Sequence, residues 1–145
     1  RRAADRGLTV DQVVTLASIV EKEPGAATDR PLIAGAFDNR LRRGMPLQSD
    51  PTVIYGLHAF SGDLTRADLA SPSPYNTYVH AGLPPGPIAN PGLAALEAVL
   101  APTASPYLYF VARNDGTHAF SATLAEHNRA VDRYQRGPSK NAPAR

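Results

Sequence analysis

Three carboxylates stand where the chain could use them for chemistry: Glu21, Glu23 and Asp50. The first two close the stretch TVDQVVTLASIVEKEP, residues 9–24. In that stretch Val10, Val13, Val14, Leu16, Ala17 and Val20 form a broad apolar stripe if the backbone turns ~100° per residue. Glu21, four residues after Ala17, falls on the edge of the stripe, whereas Lys22 points roughly the opposite way and Glu23 comes round towards the solvent flank. A carboxyl held against apolar neighbours favours its neutral form, which is what a general acid near neutral pH requires. The plainer reading of Glu21 is a boundary residue whose stem packs and whose head stays wet. Of the three acids, only Glu21 has a local pattern that predicts desolvation.

Other chemistries find little support. The chain has no cysteine, so it offers neither a disulfide nor a thiolate. His58, His80, His118 and His127 lack the short i,i+3 or i,i+4 pairing of a zinc site on one element, and each reads as a turn or packing histidine. No serine sits in a G-x-S-x-G elbow, and no glycine loop has phosphate-binding spacing. No cofactor is implied. What remains is carboxylate chemistry beside a segment rich in tyrosine, amide, proline and glycine, from Tyr75 to Gly92. Amides bind acetamido and hydroxyl groups, and aromatic faces stack on the apolar faces of sugars. Glycoside cleavage needs a proton for the leaving oxygen and a group that stabilises or attacks the cationic centre.

The elements that must position these residues follow from the punctuation. Thr9 and Gln12 make a capping box for a helix over about 10–23, which Pro24 and Gly25 stop. Thr28 caps a second helix with Pro31 in its first turn and Leu32, Ile33, Ala36, Phe37 and Leu41 inward. Arg40, Arg42 and Arg43 crowd its last turn, where they read as solvated cap charges. Asp50 and Pro51 open a short helix to Leu57, and a helical turn is expected near Thr65 to Leu69. Asn90 and Pro91 start another over about 91–101, with Leu93, Leu96, Val99 and Leu100 inward. Tyr107 to Ala112 reads as a strand, Asn114-Asp115-Gly116 as a hairpin turn and Thr117 to Ser121 as the returning strand. Thr123 and Glu126 make a second capping box for a last helix to about Arg136, with Leu124, Val131 and Tyr134 on one face. The class is α+β: several short helices packed with a small antiparallel hairpin, and no βαβ alternation.

Composition agrees with one domain over residues 1–136 and a disordered tail over 137–145. The chain has 145 residues, 43% of them hydrophobic and 19% charged, enough to bury a core. Its 14 prolines and 11 glycines demand short elements and tight turns. A net charge of +2 is too small an excess to argue for nucleic acid. No run approaches the ~18 apolar residues that would span a membrane. The start at Arg1, with no initiator methionine or signal peptide, reads as a fragment whose targeting lies upstream.

Six segments carry a resemblance: LASIVEKE (Leu16 to Glu23), LQSDPTVIYGL (Leu47 to Leu57), SPYNTY (Ser73 to Tyr78), GLPPGPIANPG (Gly82 to Gly92), PYLYFVA (Pro106 to Ala112) and the run from His118 to Asn128. In this order they resemble the endolytic murein transglycosylases, the MltG/YceG-like family, over about residues 9–135. Pro24 stands where relatives would carry a threonine. The resemblance implies a bacterial enzyme that cuts peptidoglycan glycan strands internally. It also implies a periplasm-facing domain, an inner-membrane anchor upstream and cell-wall synthases as partners. It puts the acid/base on the first glutamate of VEKE, Glu21, in a cleft lined by Gln48, Asp50, Tyr55, Tyr75, Asn76 and Tyr78. Two other readings compete: a binding scaffold that keeps the cleft without turnover, and a hydrolase in which Asp50 activates water.

Overall fold

The computed structural model describes residues 1–23, 28–57, 60 and 62–135. Seven helices and one two-stranded sheet lie among them: α1 (Arg2–Asp5), α2 (Val10–Lys22), α3 (Arg30–Arg42), α4 (Asp50–Tyr55), α5 (Arg66–Leu69), α6 (Leu93–Leu100), β1 (Tyr109–Ala112), β2 (His118–Ser121) and α7 (Leu124–Tyr134). The α+β class is therefore the observed one. The expected stop at Pro24-Gly25, His58, the end of the last helix at Arg136 and the tail fall outside the described residues.

Helix α2 is the axis of the core. Its capping box is formed as expected, with Thr9 Oγ1 accepting from the Gln12 N–H and Gln12 Oε1 accepting from the Thr9 N–H. Leu16, Ala17, Ile19 and Val20 are buried against Ile33 and Phe37 of α3 and Ala95 and Val99 of α6. Removing this apolar surface from water, at ~25 cal/mol per Å², is what drives the three helices together. The hairpin closes one side, with Phe110 edge-on to Phe37 at 5.5 Å and paired across the ladder with Phe120. Its turn is built as the sequence requires: Asn114 and Gly116 take φ of 69° and 89°, and Asp115 Oδ1 accepts from the Thr117 N–H at 3.0 Å. Helix α7 packs on the hairpin behind its own Thr123/Glu126 box.

Several boundaries differ from expectation. Helix α3 is preceded by Asp29 rather than capped by Thr28, and the Asp29 carboxylate serves the hairpin instead, accepting from the His118 N–H at 2.8 Å. Ser49, not Asp50, is the N-cap of α4. Helix α6 starts two residues late behind Gly92, and Leu93 in its first turn is 75% exposed rather than inward. Leu124 is also exposed. Arg40 is no surface cap charge. It is buried, with Nε donating to Leu108 O at 2.6 Å and a terminal nitrogen to Pro46 O at 2.7 Å.

One contact inside α3 is testable at once. The Thr103 N–H donates to Pro31 O at 3.1 Å, which lays the segment after α6 flat against α3. A Cβ at Gly35 would stand 2.6 Å from Thr103 O, a backbone atom that cannot step aside. Alanine has the better helix propensity by about 1 kcal/mol. Even so, Gly35→Ala is expected to lower the unfolding free energy in urea by about 2 kcal/mol, because overpacking outweighs propensity.

Candidate active site

A cleft of about 800 Å³ runs between the end of α2, the start of α4, the hairpin and α7. Gln48, Asp50, Tyr55 and Tyr78 line it, and so does Glu23. Glu21, Tyr75 and Asn76 do not.

The two glutamates of α2 part company at the helix end. Glu21 is still helical. Its Oε1 accepts from the Gly92 N–H at 2.8 Å, and its Oε2 lies 3.6 Å from an Arg30 nitrogen. One turn earlier, Ser18 Oγ accepts from the Ile88 N–H at 3.0 Å. The two side chains thus pin the proline-rich segment to α2, and the Glu21 carboxylate is spent on that work. Glu23 is the C-cap, with φ −70° and ψ 125°, so its backbone has left the helical path. Its own Cβ nevertheless stays on the helical path: seven residues after Leu16 and three after Val20, the ~100° step sets Glu23 on the face of those buried side chains and not on the solvent flank expected for it. Its carboxyl turns into the cleft, where desolvation and then the Asp50 charge push its pKa from 4.5 up to about 7. The Ser49 hydroxyl pulls weakly the other way. Its Oγ is buried and meets no partner at full hydrogen-bond geometry.

Asp50 is committed to Tyr78, whose hydroxyl donates to Asp50 Oδ1 at 2.6 Å. Burial, followed by this bond, holds the Tyr78 phenol well above the usual tyrosine range. The buried Arg40 guanidinium stands 4.8 Å over the Tyr109 ring and supplies the positive charge of this wall. Gln48 reaches the cleft from a left-handed backbone, φ 54°, which side chains adopt only at a cost of about 1–2 kcal/mol. That conformation is held by the segment around Thr77. Thr77 O accepts from the Gln48 N–H, and Thr77 Oγ1 accepts from the Ser49 N–H while lying 2.8 Å from Thr52 Oγ1.

Asn76 is a strut rather than a binding group. It is 0% exposed, its Nδ2 donates to Leu69 O and Ser71 O, and its Oδ1 accepts from the Tyr78 N–H. Tyr75 is half-buried on the core, with its ring 4.8 Å from that of Tyr55, which is the exposed member at the mouth. Among the lining residues that the sequence left out are Arg40, Ile88, Tyr109 and His127. A signal existed for His127: it lies three residues after Leu124 on α7, so the two share a face, and both line the cleft.

The chain is 46% identical over 127 residues to a Bacillus subtilis protein named endolytic murein transglycosylase, with 88% of this chain aligned. It is 41% identical over 132 residues to a Streptococcus pneumoniae protein of the same name, with 87% aligned. It spans only 35% and 24% of the lengths of those two proteins. The crystal structure of a yceG-like protein from Listeria monocytogenes superposes with a TM-score of 0.80 at 46% identity, covering 88% of this chain and 41% of that one. The profile of the YceG-like family matches residues 1–133, and the chain belongs to that family.

Proposed function

We propose that this region performs lytic cleavage of peptidoglycan glycan strands, with Glu23 rather than Glu21 as the single acid and base. One observation carries the reading. Glu23 is a cleft carboxyl whose surroundings hold its proton to about pH 7, in a chain whose relatives are named murein transglycosylases. In the reaction Glu23 gives its proton to the glycosidic oxygen between N-acetylmuramic acid and N-acetylglucosamine as the C1–O4 bond breaks. The carboxylate then takes the proton of the muramyl C6 hydroxyl while O6 bonds to C1. The product is a 1,6-anhydro end, no water is consumed, and Glu23 finishes protonated. Asp50 is held by Tyr78 and raises the Glu23 pKa by its charge instead of activating water. Gln48, Tyr55 and Tyr78 contact the strand. The site then faces the wall side of the cytoplasmic membrane, beside the enzymes that make new strands.

Mass spectrometry of digested strands tests the reaction. Anhydro ends support it; ends that have gained water, or intact strands, overturn it. The pH dependence tests the donor. The proton must be present, so kcat/KM is expected to fall tenfold per pH unit above about pH 7. Asp50→Asn removes the like charge, lowers the Glu23 pKa and moves that limb to lower pH. A limb that stays in place in Asp50→Asn sinks the assignment.

A further inference from the structure

The cleft has a second wall that the proposed chemistry leaves without a task. His127 of α7 stacks on Tyr109 of β1, with ring centroids 5.1 Å apart and planes inclined by 23°. Tyr109 is in turn covered by Arg40 at 4.8 Å. The three side chains form a continuous layer, and all line the cleft that holds Glu23. The layer is too well braced to be a mobile surface group, since Arg40 is fastened to two carbonyls. His127 Nδ1 is buried and has no hydrogen-bond partner. A buried N–H without an acceptor costs more than a bare lone pair, because the donor's desolvation goes uncompensated. The ring therefore carries its proton on Nε2. Burial and the Arg40 charge lower its pKa, which keeps it a single-proton imidazole at neutral pH.

We infer that His127 is a substrate-binding residue, whose Nε2–H donates a hydrogen bond to an oxygen of a strand hexosamine lying along the Tyr109–His127 layer. The edges of the stacked rings give a sugar apolar surface to lie along, and the outward N–H suits a hydroxyl or amide carbonyl of that sugar. The inference rests on the transglycosylase reading, and it goes beyond it by giving the C-terminal hairpin and α7 a share in strand recognition.

The test uses the full chain and murein strands stripped of their peptides. Affinity is measured by calorimetry in a Glu23→Gln background, and kcat/KM with Glu23 present. His127→Phe keeps the stack on Tyr109 and loses the donor; His127→Gln puts an amide N–H near the Nε2 position. His127→Phe is expected to weaken strand binding at least tenfold and to lower kcat/KM in proportion, at an unchanged Tm. His127→Gln is expected to stay within about threefold. Equal binding by His127→Phe, with anhydro ends still produced, overturns the inference and leaves the transglycosylase reading standing. The same holds if His127→Phe and His127→Gln lose affinity equally, since the donor is then irrelevant. If the unsubstituted protein neither binds nor cuts the strands, both fall.

Discussion

Glu23→Gln is expected to reduce glycan cleavage by about 10³-fold, whereas Glu21→Gln leaves it within a few fold. Both substitutions keep size and hydrogen-bonding shape, so they separate the proton from the packing. At Glu21 the amide oxygen can still accept from the Gly92 N–H, and only the longer contact to Arg30 is weakened. At Glu23 no group nearby replaces the lost proton, because Asp50 is already occupied by Tyr78. Stability gives an independent check with a defined sign. The folded pKa of Glu23 is raised from 4.5 to about 7, so the folded state holds this proton more tightly than the unfolded chain does. Its contribution is fully present below about pH 4.5 and is lost as pH rises to about 7. Above that the ionised carboxyl costs on the order of 3 kcal/mol, at 1.36 kcal/mol per pH unit. Glu23→Gln is therefore expected to be more stable than the unsubstituted chain in urea at pH 8 and about equal at pH 4. A gain at pH 8 with lost activity is the signature of a residue kept for function at the expense of stability. If Glu21→Gln is the inactive variant and Glu23→Gln cleaves normally, the assignment is wrong.

The two glutamates differ in what local periodicity says of them. Over Val10–Lys22 the expected stripe holds in part: Val13, Leu16, Ala17 and Val20 are buried, but Val10 is 68% exposed, Val14 is half-buried, and Ile19, outside the stripe, is fully buried. The same ~100° step carried from Leu16 and Val20 to Glu23 puts that carboxylate on the buried face, since ψ of 125° at the C-cap redirects only the chain that follows it. Glu21 stands at the edge of the expected stripe, and the partner that takes its charge comes from Gly92, 71 residues on. Arg40 failed for the same reason, since the carbonyls of Leu108 and Pro46 that justify burying it are not visible from the last turn of α3. The capping boxes, the Asn-Asp-Gly turn and the hairpin were legible because each is closed by residues within a few positions. Tyr109 and His127 meet only when α7 folds back on β1, and no local spacing records that.

Asn76→Ala is expected to destabilise the chain by about 3 kcal/mol, the largest loss for any position expected to bind substrate. Asn76 is fully buried and uses both ends of its amide on the backbone. Truncation strands the carbonyls of Leu69 and Ser71 and the N–H of Tyr78 at about 1–3 kcal/mol for each group that water cannot reach. It also leaves a void of side-chain size. Asn76→Asp is no remedy: Oδ1 can still accept from Tyr78, but both donated bonds disappear and an unpaired charge is buried. Urea unfolding of both variants checks this, and a loss under about 1 kcal/mol would show that the amide is dispensable. The consequence for function runs through Tyr78. Its N–H is held by Asn76 and its hydroxyl by Asp50, so the strut fixes the distance between the buried segment and the carboxylate that raises the Glu23 pKa. Under conditions where Asn76→Ala remains folded, the alkaline limb of kcat/KM should therefore move as well as the rate, which a substrate-binding amide at this position would not produce.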